Sequence, residues 1–173
     1  MGSPRPARAE DAEQIAAIMI GNWRATYAGQ LPAEFLASLT LVTQAGRWRE
    51  RILRPGIEVL VAGEEEIVGF VASGPSTDPD LEPARVHQIY NLHVKDQCRG
   101  TGIGGQLLEA AAEGGRELGR TTLCLWVVPE NRTARRFYER AGLAADGARQ
   151  REEVGPGAVL EELRYRGPIE LRP

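Results

Sequence analysis

Cysteine and histidine are scarce in this 173-residue chain, with two of each. Cys98 and Cys124 lie far apart and belong to no CxxC pattern, so they read as two reduced thiols of a cytosolic protein. No apolar run approaches the ~20 residues that a membrane span requires. The opening Met1-Gly2-Ser3-Pro4-Arg5-Pro6 has no apolar signal core, and it lacks the Ser or Thr at position 6 that a myristoylation motif needs. A basic excess is missing too. Lys and Arg number 21 against 24 Asp and Glu, a formal charge of −3, which argues against a nucleic-acid partner. These absences predict a cytoplasmic protein that binds neither nucleic acid nor membrane.

What is present is ordinary globular composition, 42% hydrophobic and 26% charged, with no repeat and no linker. The length suits one domain spanning residues 1–173. Ile15, Ile18, Met19 and Trp23 recur at three- and four-residue steps, which predicts an amphipathic helix over 11–25 with Asp11 at its start. A short strand at 4–8 precedes it, and helices over 32–39 and 42–53 follow. Then the pattern turns to short β-branched runs, 57–62 and 67–73, either side of a turn. Residues 74–84, with Pro75, Pro79 and Pro83, read as a loop. Further on the spacing predicts a strand at 86–94, a helix at 103–118, a strand at 122–128, a helix at 131–141 and a hairpin built from 143–149 and 158–166. The order predicts a mixed α/β (α+β) domain rather than a βαβ array.

The segment Arg99-Gly100-Thr101-Gly102-Ile103-Gly104 falls between a predicted strand and a predicted helix. A helix N-terminus offers free backbone N–H groups, and glycines let an anion approach them closely, so this is a phosphate cradle. Arg99 adds a charge-assisted donor. Gly100, Gly102 and Gly105 also satisfy the dinucleotide pattern GxGxxG, which would make the chain a nicotinamide-dependent oxidoreductase. The acidic residue expected at the end of the next strand is missing, however. Downstream, Asn131, Ala134, Arg135 and Tyr138 lie at i, i+3, i+4 and i+7 and share one helix face.

The two segments together resemble the GNAT N-acetyltransferase superfamily. Arg99-Gly100-Thr101-Gly102-Ile103-Gly104 fits its Gln/Arg-x-x-Gly-x-Gly/Ala motif. Leu125, Val127, Asn131, Ala134, Phe137, Tyr138 and Gly142 fit its second motif, with Leu143 in place of a final Phe. Trp23, Tyr27, Gly29, Leu31 and Pro32 resemble a Trp-x-x-x-Tyr-x-Gly-x-Leu-Pro stretch of small bacterial members. The resemblance implies a mixed central sheet of about six to seven strands, splayed at strand 86–94 and flanked by helices. It implies acetyl-CoA as co-substrate and a primary amine of a small molecule or peptide as acceptor, attacked directly in a ternary complex. The main chain of Leu92, His93 and Val94 would pair with the pantetheine arm, and Gly100 to Gly104 would hold the diphosphate. Asn131 would bond the arm, Tyr138 would protonate the departing thiolate, and Arg132, Arg135 or Arg136 would meet the 3′-phosphate or form a solvated basic face. A homodimer is compatible with the family, although no interface segment is evident.

One departure matters. Many members carry Glu where this chain has Gln88, which cannot act as a base. A non-catalytic acyl-CoA-binding module is therefore a competing reading. His87, His93, Tyr90 and a water chain are alternative bases. Tyr27, Gln88 and Tyr90 are candidate acceptor contacts. Strict alternation puts Gln88, Tyr90 and Leu92 on one face and His87 and His93 on the other. Six strand residues span about 20 Å, so the two histidines are too far apart to share a metal, and no metal is expected.

Overall fold

The computed structural model describes residues 3–172. Its elements are β1 (Arg5–Pro6), α1 (Ala12–Thr26), α2 (Ala33–Ser38), α3 (Leu41–Ile52), β2 (Glu58–Ala62), β3 (Gly69–Pro75), β4 (Val86–Val94), α4 (Ile103–Glu117), β5 (Thr122–Val127), α5 (Arg132–Arg140), β6 (Ala144–Gly155) and β7 (Ala158–Pro168). The predicted strand at 4–8 shrinks to two residues, because Ala9–Asp11 already form a 3-10 turn. Asp11 does not cap α1. Its carboxylate accepts the Arg8 N–H at 2.7 Å and pairs with Arg5 at 2.8 Å, and the guanidinium holds the carboxyl below its usual range. The final hairpin is longer than expected. The charged run Arg149–Glu153 belongs to β6, where Gln150 stands opposite Glu162 and Arg151 opposite Glu161. Charged side chains along this sheet edge discourage pairing with another chain.

One seven-stranded mixed sheet runs in the order β1-β2-β3-β4-β5-β7-β6. Only β4 and β5 pair in parallel, and α4 makes the crossover that a parallel pair requires. Each face carries its own core. On one side α1, α2 and α3 bury Ile15, Ile18, Leu36 and Trp48 against Phe70 and Ala72 of β3. On the other, Leu107, Leu108, Ala111 and Ala112 of α4 cover Val71, Ile89, Leu123 and Leu125. These α4 side chains are at most 1% exposed, so truncating either leucine costs about 2–5 kcal/mol.

Two irregularities in β4 shape everything that follows. The ladder to β5 runs only from Val86–Thr122 to Ile89–Leu125, so the strands part beyond Ile89. Opposite β3, Ala72 faces Asn91 while Ser73 faces Ile89, which leaves Tyr90 as an extra, bulged residue. A bulge shifts the inside-outside phase by one residue. Strict alternation therefore fails here. His87 packs on α4 beside Gly115, whereas His93 lies on the opposite face against Phe70 and Asn22. Leu92, placed with Gln88 by simple alternation, sits on the α4 side beside Gly104.

Candidate functional site

A cavity of about 1430 Å³ occupies the gap where β4 leaves β5 and opens on both faces of the sheet. On the α4 side its wall is the glycine turn. Gly100 and Gly102 take φ of 77° and 88°, left-handed values that side-chain-bearing residues rarely adopt, and Gly102 caps α4. The α4 ladder begins only at Gln106, whose N–H bonds Gly102 O at 3.1 Å. The N–H groups of Ile103, Gly104 and Gly105 are thus unspent at a positive helix end, which suits an anion. The Ile103 side chain is buried in the core, so this residue offers only its backbone. The Thr101 hydroxyl donates to Cys98 O at 2.7 Å and staples the turn. Arg99 pairs with Asp96 at 3.1 Å and donates to Asn22 Oδ1 at 3.2 Å.

Leu92, His93 and Val94 line the gap on the stretch of β4 that β5 no longer pairs. Val94 O is already engaged, accepting from Asn22 Nδ2 at 3.0 Å. That same amide approaches His93 Nδ1 at 3.3 Å. Asn22 escaped the sequence reading. A lone polar residue on an amphipathic helix gives no local sign that it will be buried between a loop and a strand.

Asn131 and Tyr138 both reach the cavity from α5. Asn131 Oδ1 caps the helix by accepting the Ala134 N–H at 3.1 Å, leaving its amide nitrogen available. Tyr138 is 8% exposed, and burial pushes its phenol well above the ordinary tyrosine range. Burial thus holds its hydroxyl in the protonated form. Of the three arginines, Arg135 turns inward to Pro129 O and the Tyr165 hydroxyl, both at 3.0 Å, and Tyr165 in turn donates to Glu139. Arg132 and Arg136 are exposed.

The other half of the cavity lies toward α1, α3 and the β6–β7 hairpin. Tyr27 stands here edge-on to Trp23, with ring centroids 5.2 Å apart, and burial together with the charge of Glu162 pushes its phenol up to about 12. Gln88 is a tether. Its Oε1 accepts from the Thr77 N–H at 2.9 Å and from the Ser76 hydroxyl at 3.2 Å. The Tyr90 hydroxyl donates to Pro75 O while its ring lies under the Arg51 guanidinium. His87 faces away from this half, with Nδ1 2.6 Å from Arg120 Nη1. Among the described residues no group of three His, Cys, Asp or Glu side chains could hold a metal.

The 74–84 loop is anchored more firmly than its prolines suggested. Buried Arg164 pairs with Asp78 at 3.2 Å, Asp80 at 2.7 Å and Asp146 at 2.8 Å, and Trp126 Nε1 donates to Asp78 at 3.1 Å. Two further cavity residues were invisible in sequence. Glu162 on β7 accepts from Gln150 Nε2 at 2.8 Å, and burial lifts its carboxyl above the usual range. Arg51, near the end of α3, is half-buried. Topology alone brings these residues together.

An open mixed sheet with one splayed parallel pair, a glycine turn at a helix N-terminus and a buried tyrosine at the gap together shape a cleft suited to an extended anion-bearing molecule. Residues 22–143 match the acetyltransferase (GNAT) family, and the chain belongs to that family. It is 27% identical over 131 residues to the uncharacterized N-acetyltransferase YuaI of Bacillus subtilis, covering 76% of this chain and 74% of that protein. The ribosomal-protein-alanine N-acetyltransferase of Brucella melitensis superposes with a TM-score of 0.72 at 23% identity over 95% of this chain and 98% of that one. The PaiA N-acetyltransferase of Thermoplasma acidophilum, solved with coenzyme A, superposes with a TM-score of 0.68 at 20% identity, covering 94% and 98%. The expected mixed sheet of about six to seven strands flanked by helices is realised with seven strands, and it is the family fold.

Proposed function

We propose that this protein transfers the acetyl group of acetyl-CoA to a primary amine within a ternary complex. The observation that carries the reading is Tyr138, a buried phenol lining the cavity at the β4–β5 gap. The free N–H groups of Ile103, Gly104 and Gly105 would receive the diphosphate, with Gly100 and Gly102 giving the turn its shape. The unpaired edge of β4 at Leu92 and His93 would bond the pantetheine arm, helped by the free amide nitrogen of Asn131. Arg99 supports the turn through Asn22 and Asp96.

In the reaction the neutral amine nitrogen attacks the thioester carbonyl carbon, and a C–N bond forms. Main-chain N–H groups of β4 steady the oxygen as it gains charge. Collapse breaks the C–S bond, the Tyr138 hydroxyl gives its proton to the departing thiolate, and the proton shed by the new C–N nitrogen returns, through water, to the Tyr138 oxygen. The ammonium must first lose a proton. Glu162 fits that task, being a lifted carboxyl in the acceptor half whose described partner is one amide. Gln88 is excluded as a base by its chemistry and its tethering.

Tyr138→Phe is expected to lower kcat at least tenfold while the calorimetric affinity for acetyl-CoA stays within about twofold. Unchanged turnover would remove Tyr138 from the acid role. The fixed Gln88 is the observation that favours a binding-only module. Coenzyme A binding without thiol release across a broad amine panel would favour that reading.

A further inference from the structure

We infer that the acceptor carries a carboxylate beside its amine, and that Arg51 is the residue that reads it. The inference rests on the amine-acetylation reading and names the class of acceptor.

Arg51 projects from the last turn of α3 into the acceptor half of the cavity. Its guanidinium lies over two rings, 5.2 Å from the Trp48 centroid and 5.3 Å from that of Tyr90. Stacking of this kind fixes the plane of the group while leaving its edge free. An arginine carries five N–H donors. Among the described residues no carboxylate lies within salt-bridge reach of Arg51, and none of its N–H groups has a hydrogen-bond acceptor. Its nitrogens reach the cavity rather than a protein acceptor, and a planar fork of donors held beside two rings is suited to a planar anion. A simple helix-end role does not account for it, since its donors do not reach the α3 carbonyls.

The surrounding charges sharpen the assignment. Arg54 stands at the rim on the same side and adds positive charge. Asp78 also lines the cavity, but its carboxylate is committed to Arg164 and Trp126. Glu152 and Glu162 line the cavity from the hairpin. The acceptor half is thus polarised, with a cationic wall on α3 and an anionic wall on β6 and β7. A carboxylate is the planar partner that a stacked guanidinium meets with two parallel hydrogen bonds. The ammonium of the same molecule would face Glu162, the side from which its proton must be taken.

The test uses pairs of α- and ω-amino acids with their carboxamides, offered to the wild type, Arg51→Gln and Arg51→Lys. Thiol release gives kcat/KM, and calorimetry gives binding of each compound to the protein–CoA complex. The acid of a pair is expected to bind and react about tenfold to a hundredfold better than its amide, the range for a charge-assisted bond. Arg51→Gln should erase that difference through KM, and Arg51→Lys should retain part of it. Equal binding of acid and amide, no binding by any acid, or equal loss of acetyl-CoA affinity in Arg51→Gln would overturn the inference. Should Arg51→Gln fail to fold by circular dichroism, the acid–amide contrast in the wild type and in Arg51→Lys decides. Acids that bind through Arg51 without being acetylated would uphold Arg51 as a carboxylate site and sink the transfer reading. Acetylation of acid and amide alike would do the reverse.

Discussion

Arg99 Nη2 donates to Asn22 Oδ1 at 3.2 Å, so the glycine turn before α4 is tied to the middle of α1 on the opposite face of the sheet. The same Asn22 amide holds Val94 O and His93, which fixes the free end of β4 where it has lost β5 as a partner. One side chain therefore registers the glycine turn against the strand edge below it. Asn22→Leu removes all three bonds at nearly constant volume. Acetyl-CoA affinity is expected to fall about threefold to tenfold by calorimetry, and stability by about 1–3 kcal/mol. Loss of stability alone would make Asn22 a packing residue only.

The two histidines predict the acid sensitivity of the fold. Burial, and after it the charge of Arg120, brings His87 down to about 4; burial and then Arg99 bring His93 down to about 4. In the unfolded chain both titrate near 6.5. Between about pH 6.5 and 4 the unfolded state therefore binds protons that the folded state refuses. Stability should drop as the pH falls through that window, by up to about 1.4 kcal/mol per pH unit for each histidine. Urea midpoints from pH 7 to 4.5 measure the slope. His87→Gln and His93→Gln should each make it shallower, and an unchanged slope in both would place the sensitivity elsewhere.

How much of this was legible beforehand depends on whether the signal was local. Gly100 to Gly104 and the Asn131–Tyr138 face were readable because a helix start and a seven-residue step are short-range facts. The bulge at Tyr90 was not, since an extra residue in β4 is decided by pairing with Ala72 and Ser73 of β3 and leaves no mark on composition. That single residue moved His87 and His93 to opposite faces. Arg51 and Glu162 were hidden for a related reason. Each looks like a solvated charge on its own element, and only the sheet order brings α3 and β7 to one cavity. The expected strand at 143–149 stopped short of residues 150–155, whose charged side chains continue β6 because an edge strand needs no buried face of its own.

Arg164 is the anchor of the cavity wall formed by residues 76–80. It is 5% exposed and serves three aspartates at once. Arg164→Met keeps much of the volume but leaves Asp78 buried without its cation. Breaking such a pair from one side costs about 3–5 kcal/mol. At roughly 2–4 °C per kcal/mol for a chain of this size, the melting temperature should fall by about 10 °C. A shift under about 2 °C would mean that the loop is held by Gln88 and its neighbours instead.

Glu162 carries the sharpest prediction about pH and rate. Burial raises its carboxyl above the ordinary range, the Gln150 amide opposes that, and nearby Glu152 adds to it. A base works only when deprotonated, so kcat/KM should fall on acidification with a midpoint above the ~4.3 of an ordinary glutamate. Glu162→Gln is nearly isosteric and keeps a partner for Gln150, so the fold should survive. It should lower kcat/KM at least tenfold at pH 7 and abolish the acidic limb assigned to this carboxyl, while acetyl-CoA affinity is retained. A limb that persists unchanged in Glu162→Gln would assign the proton to water or to the amine itself, and Glu162 would then serve only to hold the ammonium in place.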